Sequence, residues 1–301
     1  MKRSLKIAFR TAYILILAGV AISFCGFAAG GFDINLLNMD PSVPNAITVE
    51  EPFDSISISA STSDITVLPS TDESCKIELM EKEKVRYSAK VEDNVLKIYK
   101  VDDRKWYDHI GISWGKTSIT LYLPSERYNA LSVAVSTGDV TVDERLEFGS
   151  GIFTASTGDI TVNCNVTDKL MLSTHTGDIS IHGVSDPAVS VSVNTGNVTL
   201  CDSKCTSVDI ETDTGDVRLS DLLCEDTLKL KTDTGDVIFD RCDAPSISIE
   251  TDTGDVEGSL LSSKIFFYET DTGDVILPQG KEGSGECNIK TDTGDITIVV
   301  S

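Results

Sequence analysis

Short stretches of alternating apolar and polar residues dominate the chain after residue 44. Val189 and Val191 flank a serine, for example, and Val198 and Leu200 flank a threonine. This alternation predicts half-buried β-strands, because successive side chains of a strand point to opposite faces. Since the pattern recurs on both sides of a Thr-Gly turn, each unit predicts two short strands. No helical periodicity appears after residue 32.

The Thr-Gly turn itself repeats along the C-terminal half of the chain. Its fullest form, Thr-Asp-Thr-Gly-Asp-Val, occupies residues 212–217, 232–237, 251–256 and 270–275, and the copy at 291–296 ends in Ile. The turn glycines are separated by 20, 19, 19, 19, 20, 19, 19 and 21 residues, and they are Gly138, Gly158, Gly177, Gly196, Gly215, Gly235, Gly254, Gly273 and Gly294. A period held this closely indicates one supersecondary unit stacked on copies of itself.

Two all-β topologies fit such units. In the first, each Thr-Gly turn closes a hairpin of an antiparallel meander. In the second, each unit is one coil whose strands pair in parallel with those of the next coil. Identical turns at fixed spacing favour the second. We therefore predict a single-stranded parallel β-helix, or β-solenoid, of about nine to ten coils of roughly 19–21 residues each.

The turn residues have backbone roles in this interpretation. Glycine stands third in Asp-Thr-Gly-Asp, where a type II turn requires positive φ. An aspartate in the first position accepts backbone N–H groups of its own turn as an Asx-turn. The sequence therefore predicts turns shaped by glycine and capped by aspartate.

The N-terminal segment predicts a membrane anchor. Residues 1–10 carry four Lys/Arg and no acid, residues 11–32 are uncharged, and acids follow at Asp33 and Asp40. This arrangement predicts a cytoplasmic tail, a transmembrane helix over 11–32 and an extracytoplasmic remainder in a single-pass protein of the cell membrane. A cleaved signal peptide and a lipoprotein anchor at Cys25 are the alternatives.

The region between the anchor and the regular repeats predicts a tether and a cap. Residues 33–44 are rich in Pro, Asn and Asp and are typical of a tether. Residues 45–127 predict a β-rich N-terminal cap that includes one degenerate coil with Ser63 in place of the glycine. The repeats follow over 128–301. Within the cap, Trp106, Tyr107 and Trp114 lie in a predicted loop. We expect this loop either to plug the end of the β-helix core or to form a lip that binds a ligand or faces the membrane.

The net charge of the chain argues against one class of partner. The formal net charge is −23, and residues 128–301 carry 10 Lys/Arg against 31 Asp/Glu, a balance of 10 − 31 = −21. An acidic surface repels nucleic acid. We therefore expect no nucleic-acid partner.

Stacking of the coils predicts two acidic columns beside the turns. Neighbouring carboxylates about 4.8 Å apart repel each other, and Ca²⁺ would relieve that repulsion. The structural alternative is that each aspartate caps its turn. The predicted weak calcium ligands are Asp213, Asp216, Asp233, Asp236, Asp252, Asp255, Asp271, Asp274, Asp292 and Asp295. No other cofactor is expected.

Two cysteines and the last strand carry further expectations. Cys205 and Cys224 occupy the same coil position, so stacking predicts either a disulfide between them or two buried thiols.

Residues 296–301 end directly on a strand, and a bare edge invites pairing. This predicts end-to-end self-association through the C-terminal coil.

The chain resembles a known bacterial family. The resemblance rests on Ile56-Ser-Ile, on Ser63-Asp-Ile-Thr-Val-Leu-Pro, on Lys105-Trp106, on Leu121-Tyr-Leu-Pro and on the Ser-Thr-Gly-Asp-Val that begins at Ser136. It is similar to the putative-adhesin β-strand-repeat proteins, also called LiaG-like, a domain-of-unknown-function family. The resemblance implies a β-helix on a bacterial cell envelope and supplies no catalytic residues.

The predicted function follows from these features. We expect a non-enzymatic, membrane-anchored adhesin or envelope scaffold that meets a protein or cell-surface partner. An accessory or sensor protein of an envelope-stress response, binding at the cap, is the alternative. A glycan-active β-helix enzyme is a third hypothesis, but the acids are evenly spread and no coil carries a large insertion that would build a cleft.

Overall fold

The computed structural model describes residues 3–29, 31, 40–72, 74–102, 104–105, 115–278 and 283–300. One helix, α1, spans Arg3–Ala29, and its window Phe9–Gly26 is long and apolar enough to cross a membrane. The strands before the regular repeats are β1 (Ser42–Val49), β2 (Ser55–Thr62), β3 (Asp64–Pro69), β4 (Cys75–Lys82), β5 (Val85–Glu92), β6 (Val95–Asp102) and β7 (Ser118–Leu123).

The repeats contribute the remaining strands. The first of these are β8 (Arg127–Thr137), β9 (Val140–Val142), β10 (Glu147–Thr157), β11 (Ile160–Val162), β12 (Asn165–Thr176), β13 (Ile179–His182), β14 (Ala188–Thr195) and β15 (Val198–Thr214). The last are β16 (Val217–Thr234), β17 (Val237–Cys242), β18 (Ser246–Thr253), β19 (Val256–Leu260), β20 (Ile265–Thr272), β21 (Val275–Ile276), β22 (Glu286–Thr293) and β23 (Ile296–Val300).

Parallel pairing between coils builds the predicted β-solenoid. The strand before each glycine turn pairs with the equivalent strand of the neighbouring coil, as β10 does with β8 and β12. The strand after the turn does the same, as β11 does with β9 and β13. The all-β solenoid fold is therefore confirmed, and the meander of hairpins is wrong for the repeats.

The core lies between the stacked strands and consists of the residues that alternate inward. In the coil around Gly215, Val208, Ile210, Val217 and Leu219 are at most 3% exposed, whereas Asp209 and Arg218, which alternate with them, are exposed. Like residues stack above one another because the parallel register is maintained from coil to coil. The result is one continuous apolar column.

The coils do not stack in chain order at either end. At the N-terminal end, β2 lies between β6 and β8, and β3 lies between β7 and β9. At the C-terminal end, β22 lies between β18 and β20, and β23 lies between β19 and β21. The first and last coils of the sequence are therefore each one place inside the stack.

Antiparallel strands cover the N-terminal end. The strand β5 pairs with β6, β4 pairs with β7, and β1 pairs with β4, all antiparallel. These strands close the end of the stack that lies nearest to α1 in the chain. The strand β1 begins at Ser42, inside the segment 33–44 that was predicted as a tether.

The C-terminal end is formed by a different coil from the one predicted. The last coil of the sequence, β22 and β23, is covered on both sides, so the prediction that residues 296–301 form the bare edge is wrong. The outermost coil is β20 and β21. The coil of β22 and β23 follows it in the chain but lies between it and the coil of β18 and β19.

Candidate functional site

The turn glycines are fixed by the approach of the neighbouring coil. Their φ angles run from +138° at Gly158 to +159° at Gly254, beyond the value of about +80° of a type II turn. A Cβ on Gly235 would lie 2.1 Å from the carbonyl oxygen of Gly215. The predicted type II turn is therefore wrong, and glycine is required both by φ and by close stacking.

The turn of the degenerate first coil lacks the glycine. Ser63 takes the glycine position and shows no positive φ. Its hydroxyl lies 2.9 Å from the Tyr87 hydroxyl and donates to Thr117 Oγ1 at 3.1 Å. In the coil outside it, residues 103–117 connect β6 to β7 in place of a short glycine turn.

A column of buried threonines joins the turns vertically. The Oγ1 of Thr232 donates to the carbonyl oxygen of Gly215 in the adjoining coil at 3.1 Å, and Thr232 is fully buried. Thr212, Thr251 and Thr291 make the same bond at 3.2–3.3 Å. The threonine position is thus a structural bond between coils.

The acidic column that follows the glycines also bonds between coils. The Oδ1 of Asp236 accepts the backbone N–H of Asp255 at 2.9 Å, and Asp216 accepts that of Asp236 at 2.9 Å. Asn197 takes the same place and accepts the N–H of Asp216 at 2.9 Å. These carboxylates therefore cap the turn of the next coil and not, as predicted, their own.

The second acidic column lies in solvent. Asp213, Asp233, Asp252, Asp271 and Asp292 are all exposed. Lys231 and Lys290 lie 3.9 Å from Asp233 and Asp292 respectively. Within the described residues, neither acidic column forms a group of three side chains with ligand atoms within 4.8 Å of one another. Calcium binding at these aspartates stays a prediction.

The two stacked cysteines lie where the repeat predicts them. Cys205 and Cys224 are register partners in β15 and β16, and both are buried free thiols. A disulfide between them stays a prediction. Burial raises the pKa of the Cys205 thiol to about 12, and it raises the pKa of the Cys224 thiol as well.

The predicted interaction loop cannot be placed on this fold. Trp106, Tyr107 and Trp114 lie outside the described residues. Near the cap, the structure has an open groove of about 760 Å³ beside Phe53 and Tyr128, whose rings stack with centroids 5.6 Å apart. The lining of this groove mixes polar and apolar groups.

The outermost coil, β20 and β21, is the most apolar exposed edge of the repeats. Ile265 is 39% exposed, Phe267 52%, Tyr268 58% and Ile276 62%. Among the described residues, no strand pairs with the outer edge of β20 or β21. We call this surface the open edge. The run Phe266-Phe267-Tyr268 in an aromatic-poor array was the sequence signal for it.

A buried ion pair holds the crossing that creates the open edge. Lys264 is 2% exposed, and its Nζ lies 2.5 Å from Asp243 Oδ1. The same Nζ donates to Ser262 Oγ at 2.9 Å and to the Ser284 carbonyl at 3.2 Å. Lys264 therefore ties the outgoing segment, the returning segment and an inner coil together. Sequence reasoning missed this residue because a lone lysine in an acidic array gives no sign of burial.

Comparison with solved structures finds matches of low sequence identity. A putative adhesin from Bacteroides fragilis shares 14% identity over 86% of this chain and 97% of that chain, with a TM-score of 0.48. A putative adhesin from Parabacteroides distasonis shares 12% over 87% and 98%, with a TM-score of 0.46. A putative lipid binding protein from Parabacteroides distasonis shares 13% over 85% and 96%, with a TM-score of 0.42.

Family membership is decided by the sequence model that spans the solenoid. No curated protein matches the chain. The model of the family described as Toastrack DUF4097 matches residues 53–299, from the segment before β2 to the end of β23. The resemblance to the adhesin-like domain of unknown function is thereby confirmed, and the protein belongs to the Toastrack DUF4097 family.

Proposed function

We propose that the protein is a non-enzymatic envelope scaffold that is anchored by α1 and self-associates through the open edge. The observation that supports it is the contrast between the two ends of the solenoid. The N-terminal end carries antiparallel strands, while the outer edge of β20 has no strand partner in the described part of the chain. The open edge thus lies at the opposite end of the solenoid from the antiparallel strands, which are nearest to α1 in the chain.

The strand edges of the cap are protected against pairing in ways that β20 is not. The strand β1 contains Pro44, and β5 contains Arg86 and Lys90. Proline and charged residues on an edge strand discourage pairing with another chain. The strand β20 reads Ile-Phe-Phe-Tyr-Glu-Thr-Asp-Thr. Its acids, Glu269 and Asp271, lie in its second half, and its first four residues carry neither proline nor a charge. This difference favours β20 as the pairing edge.

A second copy of the chain is the partner that fits this edge. Both copies present the same edge, so a two-fold axis pairs the two β20 strands antiparallel. With the axis at Phe267, that residue faces its own copy, Phe266 faces Tyr268 and Ile265 faces Glu269. Aromatic pairs across strands stabilise a sheet, and no acid faces another acid. The resulting dimer is tail-to-tail, with the two antiparallel caps at its far ends.

The test is the oligomeric state of the full chain in detergent micelles, measured by sedimentation equilibrium at micromolar concentrations. The wild type is expected to form dimers and Phe267→Lys to be monomeric. The matched control is Ile152→Lys, which places the same charge on an outward position of an inner coil that is 45% exposed. A monomeric wild type, or a dimeric Phe267→Lys variant, would overturn the proposal.

The membrane arrangement has its own test. We propose that residues 1–10 face the cytoplasm and that the solenoid lies outside. The basic residues before α1 and the acids after it support this orientation. A membrane-impermeant amine reagent added to intact cells is expected to label the solenoid lysines. Labelling that requires cell lysis would contradict the orientation, and a mature chain that begins after residue 29 would identify α1 as a cleaved signal.

A further inference from the structure

The corner at the end of the strands that follow the glycine turns brings donor side chains of two coils together. His182 ends β13, and its register partner in the next coil is Cys201 of β15. Asp202 follows directly. One ligand atom from each of the three side chains lies within 4.8 Å of the other two. The group joins an imidazole, a thiol and a carboxylate.

The backbone turns Asp202 back toward the histidine. Asp202 has a φ of +50°, a left-handed conformation that only a few non-glycine residues adopt. Its Oδ2 lies 2.9 Å from His182 Nε2. The side chains of His182 and Asp202 are 51% and 56% exposed, whereas Cys201 is half-buried behind them. The group therefore has a buried sulfur side and an open solvent side.

The same corner in the following coils has a different composition. Ser220 is the register partner of Cys201, so the thiol is replaced there by a hydroxyl. The next residue, Asp221, is bound by Arg241, whose Nε lies 2.7 Å from Asp221 Oδ1. That corner is closed by an ion pair between side chains. The corner at His182 also holds a side-chain pair, between His182 and Asp202, and it adds the thiol of Cys201, so three side chains offer ligands for a cation.

We propose that His182, Cys201 and Asp202 bind Zn²⁺. Imidazole nitrogen, thiolate sulfur and carboxylate oxygen are the ligands that zinc takes in proteins, at about 2.0–2.3 Å. Ligands around one such tetrahedral ion lie roughly 3.3–3.8 Å apart, so small movements of the two exposed side chains complete the site. The fourth position faces solvent and is filled by water. The site is an addition to the scaffold role and does not depend on the open edge.

The repeat explains why this site is hard to find by motif. His182 and Cys201 are 19 residues apart, which is one coil of the array. Familiar zinc motifs place two ligands within a few residues on one turn. Here the ligands are adjacent because the coils stack. A search for donor residues one period apart would find it.

The test uses Co²⁺ as a spectroscopic substitute for Zn²⁺. The full chain in detergent micelles, kept reduced, is titrated with Co²⁺, and thiolate ligation is expected to produce a charge-transfer absorption in the near ultraviolet. Zn²⁺ is then expected to displace Co²⁺ and abolish that absorption. The variant Cys201→Ser is expected to lack the band, and His182→Gln and Asp202→Asn are expected to bind at least about tenfold more weakly, the loss seen even for residues that only support a ligand.

The matched control is His175→Gln, which removes another exposed histidine of the same repeat array. It is expected to bind Co²⁺ as the wild type does. Circular dichroism of each variant confirms that the solenoid is folded. A wild type without the charge-transfer band would overturn the proposal. A band that persists in Cys201→Ser would also overturn it, because the thiolate would then come from another cysteine.

Discussion

Replacing Gly235 by alanine tests whether close stacking determines the turn residue. The new Cβ would lie 2.1 Å from the Gly215 carbonyl oxygen, and the residue has a φ of +152°. The conformational strain costs about 1–3 kcal/mol, and forcing a methyl group into a packed contact costs about 1–3 kcal/mol. Separating the coils also weakens the Thr232 bond to Gly215, worth about 1 kcal/mol. We expect Gly235→Ala to lower the free energy of unfolding by about 3–7 kcal/mol.

The matched control is Gly183→Ala. Gly183 has a φ of +73°, but a Cβ there would meet nothing within 4 Å. Its cost is limited to the left-handed backbone, about 1–2 kcal/mol. Urea unfolding of the full chain in detergent micelles, followed by circular dichroism, measures both variants. Equal losses of stability in the two variants would refute the stacking argument, because only the backbone strain is common to them.

Four further predictions concern the columns, the crossing and the thiols. Thr232→Val, which keeps the shape but removes the bond to Gly215, is expected to lower the free energy of unfolding by about 1 kcal/mol, and an unchanged value would contradict the ladder. Asp236→Asn is expected to be nearly neutral because Asn197 accepts the equivalent N–H, that of Asp216, in another coil, whereas Asp236→Ala is expected to cost about 1 kcal/mol; equal effects would argue for the charge and not the hydrogen bond. Lys264→Ala is expected to cost about 3–5 kcal/mol in urea unfolding because it leaves Asp243 without its buried partner, while the exposed Lys290→Ala control stays within about 0.5 kcal/mol. Burial raises the pKa of the Cys164 and Cys287 thiols from 9.0 to about 12 in the folded protein, so the unfolded chain loses these protons at lower pH. The free energy of unfolding, measured in urea, is therefore expected to fall by about 1.4 kcal/mol per pH unit for each thiol as pH rises from 9 toward 12.

Two expectations from the sequence remain predictions with direct tests. If the aspartate columns bind calcium, addition of a chelator lowers the melting midpoint of the full chain, and an unchanged midpoint contradicts calcium binding. Trp106 and Trp114 are the only tryptophans of the chain. Brominated lipids in reconstituted vesicles are therefore expected to quench the emission if that loop contacts the membrane.

The repeat could be predicted from the sequence because its causes are local. Alternation places Val217 and Leu219 inside, and the fixed period brings equivalent residues together in neighbouring coils. The pairing of Cys205 with Cys224 followed from that period. Parallel stacking, the threonine column and the acidic columns are all consequences of one unit repeated in register.

The roles of the turn residues required the tertiary structure. Glycine and aspartate each have a local explanation within one turn, and the sequence alone predicts that explanation. The structure shows that Gly235 makes room for the carbonyl of Gly215, and that Asp236 caps the N–H of Asp255. Both interactions join separate coils, so no inspection of a single turn reveals them.

The order of the coils was decided by the tertiary structure alone. The coils around Gly254, Gly273 and Gly294 carry nearly the same turn, so each presents the same hydrogen-bonding groups to a neighbour. Local pattern therefore does not distinguish which coil is outermost. The buried pair of Lys264 and Asp243 lies where the chain steps outward and returns. That crossing places Phe267 and Tyr268 at the open edge. Any of the equivalent coils could form the end of the stack, and the path of the connecting segments selects which one does.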